Sequence, residues 1–133
     1  MRMLFAALAL AAFAAPSVAR DRGHVPEATP TGTPQRCIPI SNMRESHVRD
    51  DRTIDFVTSG GTVYRNTLPF ACPSLGFEER FSYATSLSQL CSTDTITVLE
   101  TGGGTGLSRG ATCGLGVFQP VTLTQTTGPR RRN

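Results

Sequence analysis

Apolar and polar residues alternate with a period of two through the middle of the chain, which is the pattern of half-buried β-strands. The clearest case is a hairpin, in which one alternating run at 53–57 is followed by turn residues at 59–61 and a second run at 62–66. Further strand-like runs lie at 81–85, 95–99 and 111–121. This pattern predicts an all-β fold, a small antiparallel barrel or a curved sheet of about five to seven strands.

The alternation also assigns side chains to faces. In the first run it places Ile54 and Phe56 in the core and Thr53 and Asp55 on the solvent side. Residues 86–91 contain two leucines three positions apart, which indicates one helical turn before the next strand. No other segment has a helical pattern.

The N-terminal segment has the pattern of an export signal. A positive charge at Arg2 precedes thirteen consecutive apolar residues, Met3–Ala15, and the segment ends in the small residues Ser17–Ala19. A transmembrane anchor is the alternative, but thirteen helical residues span only about 20 Å of a roughly 30 Å hydrocarbon core. Residues 1–19 are therefore predicted to be a signal peptide cleaved after Ala19, with no membrane-spanning segment in the mature chain.

Composition divides the exported part into a leader, a domain and a tail. Residues 20–36 contain three prolines and no aromatic residue, so they bury too little apolar surface to offset their ordering entropy and are expected to be a flexible leader. Residues 122–133 are rich in threonine and contain Arg130–Arg132, which predicts a flexible basic tail. A single β domain is predicted between them, at 37–121.

Charge and composition exclude several functions. All 13 basic residues are Arg and none is Lys, which excludes a Walker phosphate loop and a Schiff-base mechanism. Cleavage leaves twelve Arg against ten acidic residues. Three of the twelve Arg lie in the tail cluster, so the rest of the mature protein is nearly neutral. This charge balance does not favour nucleic-acid binding.

The four cysteines predict two disulfides, because all of them lie in the exported part and an even number favours pairing. They are Cys37, Cys72, Cys91 and Cys113. A four-cysteine zinc site is the alternative, but no C-x-x-C pair is present. The sequence selects none of the three connectivities. We favour Cys72 with Cys91 and Cys37 with Cys113, which would close loops of about 20 and about 77 residues.

Few residues suggest catalysis. The segment Gly106–Gly110 matches the G-x-S-x-G pattern around Ser108, but both histidines, His24 and His47, precede that serine and no helix is predicted after it. A loop is the favoured interpretation. The sequence indicates no resident cofactor.

The sequence contains one candidate acid–base pair and several other carboxylates. Glu45 and His47 would share one strand face, and a metal or a general base there is chemically conceivable. A solvated strand end is favoured instead, with Asp50–Asp51 capping a turn through side-chain bonds to backbone amides. Glu78–Glu79 is interpreted as a solvated turn, because neighbouring carboxylates on a strand do not converge on one substrate.

Several blocks of sequence, taken together and in order, resemble an uncharacterised family of small exported proteobacterial proteins, a domain of unknown function. The blocks are Cys37–Pro39, Asp50–Ile54, Tyr64–Pro69, Cys72–Pro73, Phe81–Tyr83, Leu90–Cys91, Asp94–Val98 and Cys113–Phe118. The resemblance implies an envelope location and one compact domain, and it brings no activity, cofactor or partner.

The sequence therefore predicts a monomeric, non-catalytic protein of the periplasm or the secreted fraction that binds an envelope protein or a glycan. Two alternatives stay open. One is an inhibitor of a secreted enzyme that presents a disulfide-braced loop, and the other is a small hydrolase or metal enzyme that uses His47.

Overall fold

The computed structural model describes residues 25–85, 87–102, 104 and 106–124. Strands hold 51% and helices 7% of these residues, and every sheet is antiparallel, which confirms the predicted all-β class. The predicted signal peptide at 1–19 and residues 125–133 of the predicted tail lie outside the described residues. No helix in the described part is long and apolar enough to cross a membrane.

Ten strands make up the described fold, which exceeds the five to seven that the sequence predicts. They are β1 (Ala28–Pro30), β2 (Cys37–Pro39), β3 (Met43–Val48), β4 (Thr53–Thr58), β5 (Val63–Thr67), β6 (Phe81–Tyr83), β7 (Gln89–Cys91), β8 (Thr95–Glu100), β9 (Ser108–Gly114) and β10 (Phe118–Leu123). A 3₁₀ turn at Ile40–Asn42 precedes β3, and a short helix, α1 (Leu75–Glu78), precedes β6.

The strands form three sheets that do not close into a barrel. The largest has the order β1-β10-β5-β4-β3, a second has the order β6-β8-β9, and β2 pairs with β7 alone. Of the two architectures that the sequence left open, the closed barrel is therefore wrong. Among the additional strands, β1, β2 and β7 have three residues each, which is too few for their alternation to be recognised in the sequence.

The predicted hairpin is confirmed as β4 and β5. Its turn is closed by the Thr58 amide, which donates to the Thr62 carbonyl oxygen at 3.0 Å, and by the Gly61 amide, which donates to the Thr58 carbonyl oxygen at 2.9 Å. Gly61 has a φ of 82°, the left-handed conformation that a three-residue hairpin loop requires and that glycine adopts without a Cβ clash.

The core lies between the five-stranded and the three-stranded sheets. Ile54 and Phe56 are buried there as predicted, at 0% and 1% exposure. The Phe56 ring packs edge-on against Phe118 with centroids 5.6 Å apart, and against Phe81 with centroids 6.2 Å apart. These T-shaped contacts add about 0.5–1.5 kcal/mol per pair to the area that the rings bury.

Strand β4 is buried on both faces, which corrects the prediction that Asp55 is solvent-facing. The side chain of Asp55 points away from the core but is 0% exposed, because two arginines cover it. Arg49 Nε donates to its Oδ2 at 2.8 Å, and Arg65 donates through Nε to Oδ1 and through Nη2 to Oδ2 at 2.8 and 2.9 Å. The alternation of apolar and polar residues predicts the face of the strand on which a side chain lies, but it does not predict which other side chains cover that face.

All four cysteines pair, and the favoured connectivity is wrong. The disulfides join Cys37 to Cys91 and Cys72 to Cys113, with Cα atoms 4.0 and 5.9 Å apart. Cys37 and Cys91 are directly opposite each other in the β2–β7 ladder, so their sulfurs meet across the sheet. Spacing along the chain could not show this, because both strands are only three residues long.

The domain begins before the predicted boundary at residue 37. Ala28–Pro30, inside the predicted leader, pair with β10, and the Arg65 guanidinium donates to the Pro26 carbonyl oxygen at 2.8 Å. Apolar burial alone does not predict the order of this segment, because backbone hydrogen bonds hold it on the edge of the sheet. At the other boundary, β10 extends to Leu123, beyond the predicted end at 121.

The predicted helical turn at 86–91 is also wrong, because Gln89–Cys91 form β7. Leu90 is buried at 0% exposure, and Leu87 is 65% exposed, so the two leucines do not share a buried face. The α-helical turn of the described chain is instead α1, whose single turn carries too little periodicity to be predicted from sequence.

Candidate functional site

The predicted pair of Glu45 and His47 does share one face of β3. His47 Nε2 lies 3.0 Å from Glu45 Oε2, and the two side chains are 45% and 65% exposed. Ser46, the neighbouring serine, points to the opposite face of the same strand. Within the described residues, no group of three or more His, Cys, Asp or Glu is arranged to hold a metal ion. The pair is an exposed contact on the outer face of the sheet.

Ser108, the central residue of the G-x-S-x-G match, begins strand β9. Its hydroxyl donates to the Glu100 carbonyl oxygen on β8 at 3.4 Å, and the chain continues from it as a strand. A nucleophile elbow requires a helix after the serine, so this geometry is that of a loop entering a hairpin strand.

The acidic turn between β3 and β4 organises the neighbouring segment. Asp50 Oδ1 accepts from the Arg52 amide at 2.8 Å, which confirms the predicted turn cap. Asp51 Oδ1 accepts from the Gly76 amide at 2.7 Å, and the Asp51 carbonyl oxygen accepts from the Cys72 amide at 2.7 Å. This turn therefore fixes the start of α1 to the edge of the main sheet.

Two other residues from the sequence blocks hold loops in place. The Arg52 guanidinium donates to the carbonyl oxygens of Leu68 and Pro69 at 2.7 and 3.0 Å. Asn66 is fully buried, and its side-chain amide donates to the Gly116 carbonyl oxygen at 2.7 Å and accepts from the Gly116 amide at 2.8 Å. Position 116 requires glycine, because a Cβ there would collide with the Thr67 carbonyl oxygen. These residues have structural roles, so catalytic roles are not needed to explain them.

The segment between β5 and β6 exposes two large aromatic side chains. Phe70 is 82% exposed and Phe77 is 80% exposed, more than any other large apolar residue of the described chain. Aromatic residues, Phe among them, are enriched in protein interfaces relative to the rest of the surface. Neither residue is among the candidates that the sequence pattern predicts.

The backbone that carries these two residues is fixed at several points. Cys72, between them, is buried and bonded to Cys113 on β9. Ser74 and Glu79, on either side of α1, have φ values of 67° and 54°, in the left-handed region that costs a non-glycine residue about 1 kcal/mol or more. The surrounding hydrogen bonds and the disulfide hold this conformation, so the segment presents its aromatic side chains from a rigid base.

Phe77 also borders a surface groove of about 770 Å³. Its other lining residues come from the acidic turn and from α1 and its end: Arg49, Asp50, Asp51, Arg52, Gly76 and Glu79. Both arginines are engaged within the protein, Arg49 with Asp55 and Arg52 with backbone carbonyl groups. The groove therefore combines an exposed ring with carboxylates, and it lacks the convergent acid, base and nucleophile of an active site.

Comparison of the chain with protein-family models, with curated proteins and with solved structures found no match.

The signal that could have identified Phe70 and Phe77 is weak but present. Phe70 follows Pro69 and Phe77 precedes Glu78, in a segment rich in turn formers. An isolated apolar residue in a turn is common and carries no function by itself. Only the structure shows that both are exposed on one braced segment.

Proposed function

We propose that the protein is an exported, non-catalytic module that binds a protein partner in the bacterial envelope. The observation that supports this proposal is the display of Phe70 and Phe77, each at least 80% exposed, on a segment braced by a disulfide and by the acidic turn. A rigid aromatic anchor loses little conformational entropy on binding, so such a surface favours affinity.

A matched pull-down from periplasmic extract tests the proposal. The bait proteins are the wild type, the double variant Phe70→Ser/Phe77→Ser, and the control Leu87→Ser, which removes an exposed leucine from the loop between β6 and β7. We expect one partner to be retained by the wild type and the control and lost by the double variant. Identical protein profiles for all three baits would contradict the proposal, and binding to a glycan array by the same three baits would redirect it to a glycan.

Inhibition of a secreted enzyme is a second candidate, which rests on the position of Phe70 two residues before the disulfide-bonded Cys72. Inhibitors commonly present a specificity side chain beside such a brace. Titration against proteases that cleave after aromatic residues tests it. Stoichiometric inhibition that Phe70→Ser abolishes and Phe77→Ser leaves unchanged would favour this role over a general binding module.

Export is part of the proposal. The apolar run and the small-residue end of residues 1–19 favour cleavage after Ala19, and two disulfides are consistent with an extracytoplasmic location. We expect the intact mass of the protein recovered from the periplasm or the medium to correspond to a chain that begins at Arg20. A chain that begins at Met1 and sediments with the inner membrane would contradict it.

A further inference from the structure

The two disulfides of the fold differ in how deeply they are buried. Cys72 is 0% exposed and belongs to the hydrophobic core, and Cys113 packs against that core. Cys37 and Cys91 are both half-buried, and neither is among the described residues that form or line the core. Thiol–disulfide exchange requires a thiolate to reach a sulfur atom, so access from solvent decides which bridge an external thiol opens first.

The same difference in burial separates the sulfur atoms that would leave during exchange. The Cys72 sulfur is closed to solvent, and attack on Cys113 would expel it as an anion inside the apolar core, where charge is strongly disfavoured. Attack on either sulfur of the Cys37–Cys91 bridge releases a thiolate at a half-buried position instead. Exchange is therefore favoured at Cys37–Cys91.

Backbone hydrogen bonds hold β2 and β7 together on both sides of this bridge. The Ser92 amide donates to the Arg36 carbonyl oxygen at 2.7 Å, and the Ile40 amide donates to the Ser88 carbonyl oxygen at 3.0 Å. In this register the bridge occupies a non-hydrogen-bonded position of the antiparallel ladder, where the side chains of opposite residues lie closest. The ladder therefore keeps the two sulfur atoms near each other when the bond between them is broken.

Both strands are also anchored without the bridge. Ile38 and Leu90, directly opposite each other in the ladder, are 2% and 0% exposed, and alternation places them on the face opposite to the two cysteines. The Cys91 amide donates to Asp94 Oδ2 at 2.7 Å, and the Asp94 amide donates to the Cys91 carbonyl oxygen at 2.9 Å, which closes the turn after β7. These contacts do not involve sulfur, so they persist in a reduced state.

We propose that Cys37–Cys91 is a site of reversible thiol–disulfide exchange with an external dithiol, and that Cys72–Cys113 is a structural bridge that stays closed. A thiolate of the dithiol attacks one sulfur of the exchanging bridge, forms a mixed disulfide and releases the other cysteine as a thiolate. The second thiol of the dithiol then attacks the mixed disulfide and releases the first cysteine. Two electrons and two protons pass to the protein, which gains two thiols, and the dithiol leaves as a disulfide.

This activity goes beyond the proposed function and does not depend on it. Phe70 and Phe77 lie on the segment that the other disulfide braces, so opening Cys37–Cys91 leaves that brace intact. The dithiol comes from a small molecule or from a thioredoxin-type protein, and the chemistry at the bridge is the same for both.

Timed alkylation of the purified, oxidised exported chain tests the proposal. The protein is treated with dithiothreitol, or with reduced thioredoxin at the same dithiol concentration, and is then alkylated and digested for mass spectrometry. We expect Cys37 and Cys91 to be labelled together at least about tenfold faster than Cys72 and Cys113, because access controls the rate. Faster opening by thioredoxin identifies a protein dithiol as the preferred reductant, and faster opening by dithiothreitol identifies a small one.

Circular dichroism during the same reaction shows whether the bridge opens in the folded protein. We expect the β-sheet spectrum to persist while the two thiols form, and an excess of oxidised glutathione to close the bridge again. The variant Cys37→Ser/Cys91→Ser should fold with the wild-type spectrum and lack the fast labelling. The variant Phe70→Ser/Phe77→Ser should react like the wild type, which separates this activity from the proposed surface.

Four results would overturn the proposal. They are labelling of all four cysteines at one rate or of Cys72 and Cys113 first, loss of the β-sheet spectrum as the bridge opens, failure of the bridge to close again with oxidised glutathione, and an unfolded Cys37→Ser/Cys91→Ser variant. Each would mean that Cys37–Cys91 is a structural bridge like the other.

Discussion

The two faces of strand β4 are equally buried but are held by different forces. On the inner face, Phe56 is surrounded by apolar side chains and aromatic rings. On the outer face, Asp55 is surrounded by the guanidinium groups of Arg49 and Arg65. The inner face is stabilised by the removal of apolar surface from water. The stability of the outer face depends on the ion pairs between the Asp55 carboxylate and the two arginines.

This difference shows that the burial of a side chain does not by itself predict how the stability of the fold responds to a substitution or to a change of pH. An apolar residue that is shortened leaves a cavity whose cost depends on volume and not on pH. A buried carboxylate that is removed leaves two cations without a counter-ion, and its contribution changes with its protonation.

The largest effect is expected at Phe56. Phe56→Ala should lower the free energy of unfolding by about 3–5 kcal/mol, because a fully buried ring that contacts Phe81 and Phe118 is removed. That loss is comparable with the whole stability of a small domain. Urea denaturation followed by circular dichroism measures it, and Phe70→Ala, which removes an exposed ring, is the matched control. Equal effects of the two substitutions would refute the position of Phe56 in the core.

A smaller but substantial loss is expected at Asp55. Asp55→Ala should lower the free energy of unfolding by about 2–3 kcal/mol, because hydrogen bonds to charged partners are lost and the arginines that remain can reach solvent. Arg49 and Arg65 are 23% and 15% exposed, which limits the penalty. Glu45→Ala on the same face is the control and should change stability by less than about 0.5 kcal/mol. A neutral Asp55→Ala would mean that the cluster contributes nothing.

The two faces should separate further as the pH falls. Burial raises the pKa of Asp55, but the hydrogen bonds and charges of Arg65 and Arg49 outweigh that effect, so the pKa lies below its ordinary value of 3.8. A folded-state pKa below the unfolded value stabilises the protein above about pH 4, and this stabilisation is lost as the pH falls through the lower folded-state pKa.

Urea titrations at several pH values between 7 and 2.5 check this prediction. The difference in unfolding free energy between the wild type and Asp55→Asn should shrink below pH 3.8, whereas the difference between the wild type and Phe56→Leu should stay constant. Parallel pH dependence of both differences would show that Asp55 is not the group responsible.

The same contrast explains what the sequence could predict. The alternation at 53–57 predicted the directions in which Ile54, Asp55 and Phe56 point, because period and pleat are local properties. It could not predict the burial of Asp55, since the arginines that cover it come from another strand and from a turn. The disulfide pairing and strand β1 were missed for the same reason, because each depends on a contact between distant segments. The candidate surface was missed because exposure of Phe70 and Phe77 is a property of the whole fold.

The smallest effect is expected at His47, which stands beside Asp55 in the β3–β4 register but outside its ion cluster. His47→Ala should change the free energy of unfolding by less than about 0.5 kcal/mol, because the contact with Glu45 is exposed and such pairs contribute little.

His47→Ala should also leave any turnover of ester, glycan and peptide substrates unchanged. A general base needs an orienting partner and a nucleophile or a bound water held near it, and this pair offers only a solvated carboxylate. Glu45→Gln is the control that removes the same contact and keeps the imidazole. A turnover lost in His47→Ala and retained in Glu45→Gln would identify a hydrolase that uses His47, and zinc binding lost in both variants would identify a metal site on the outer face of the sheet.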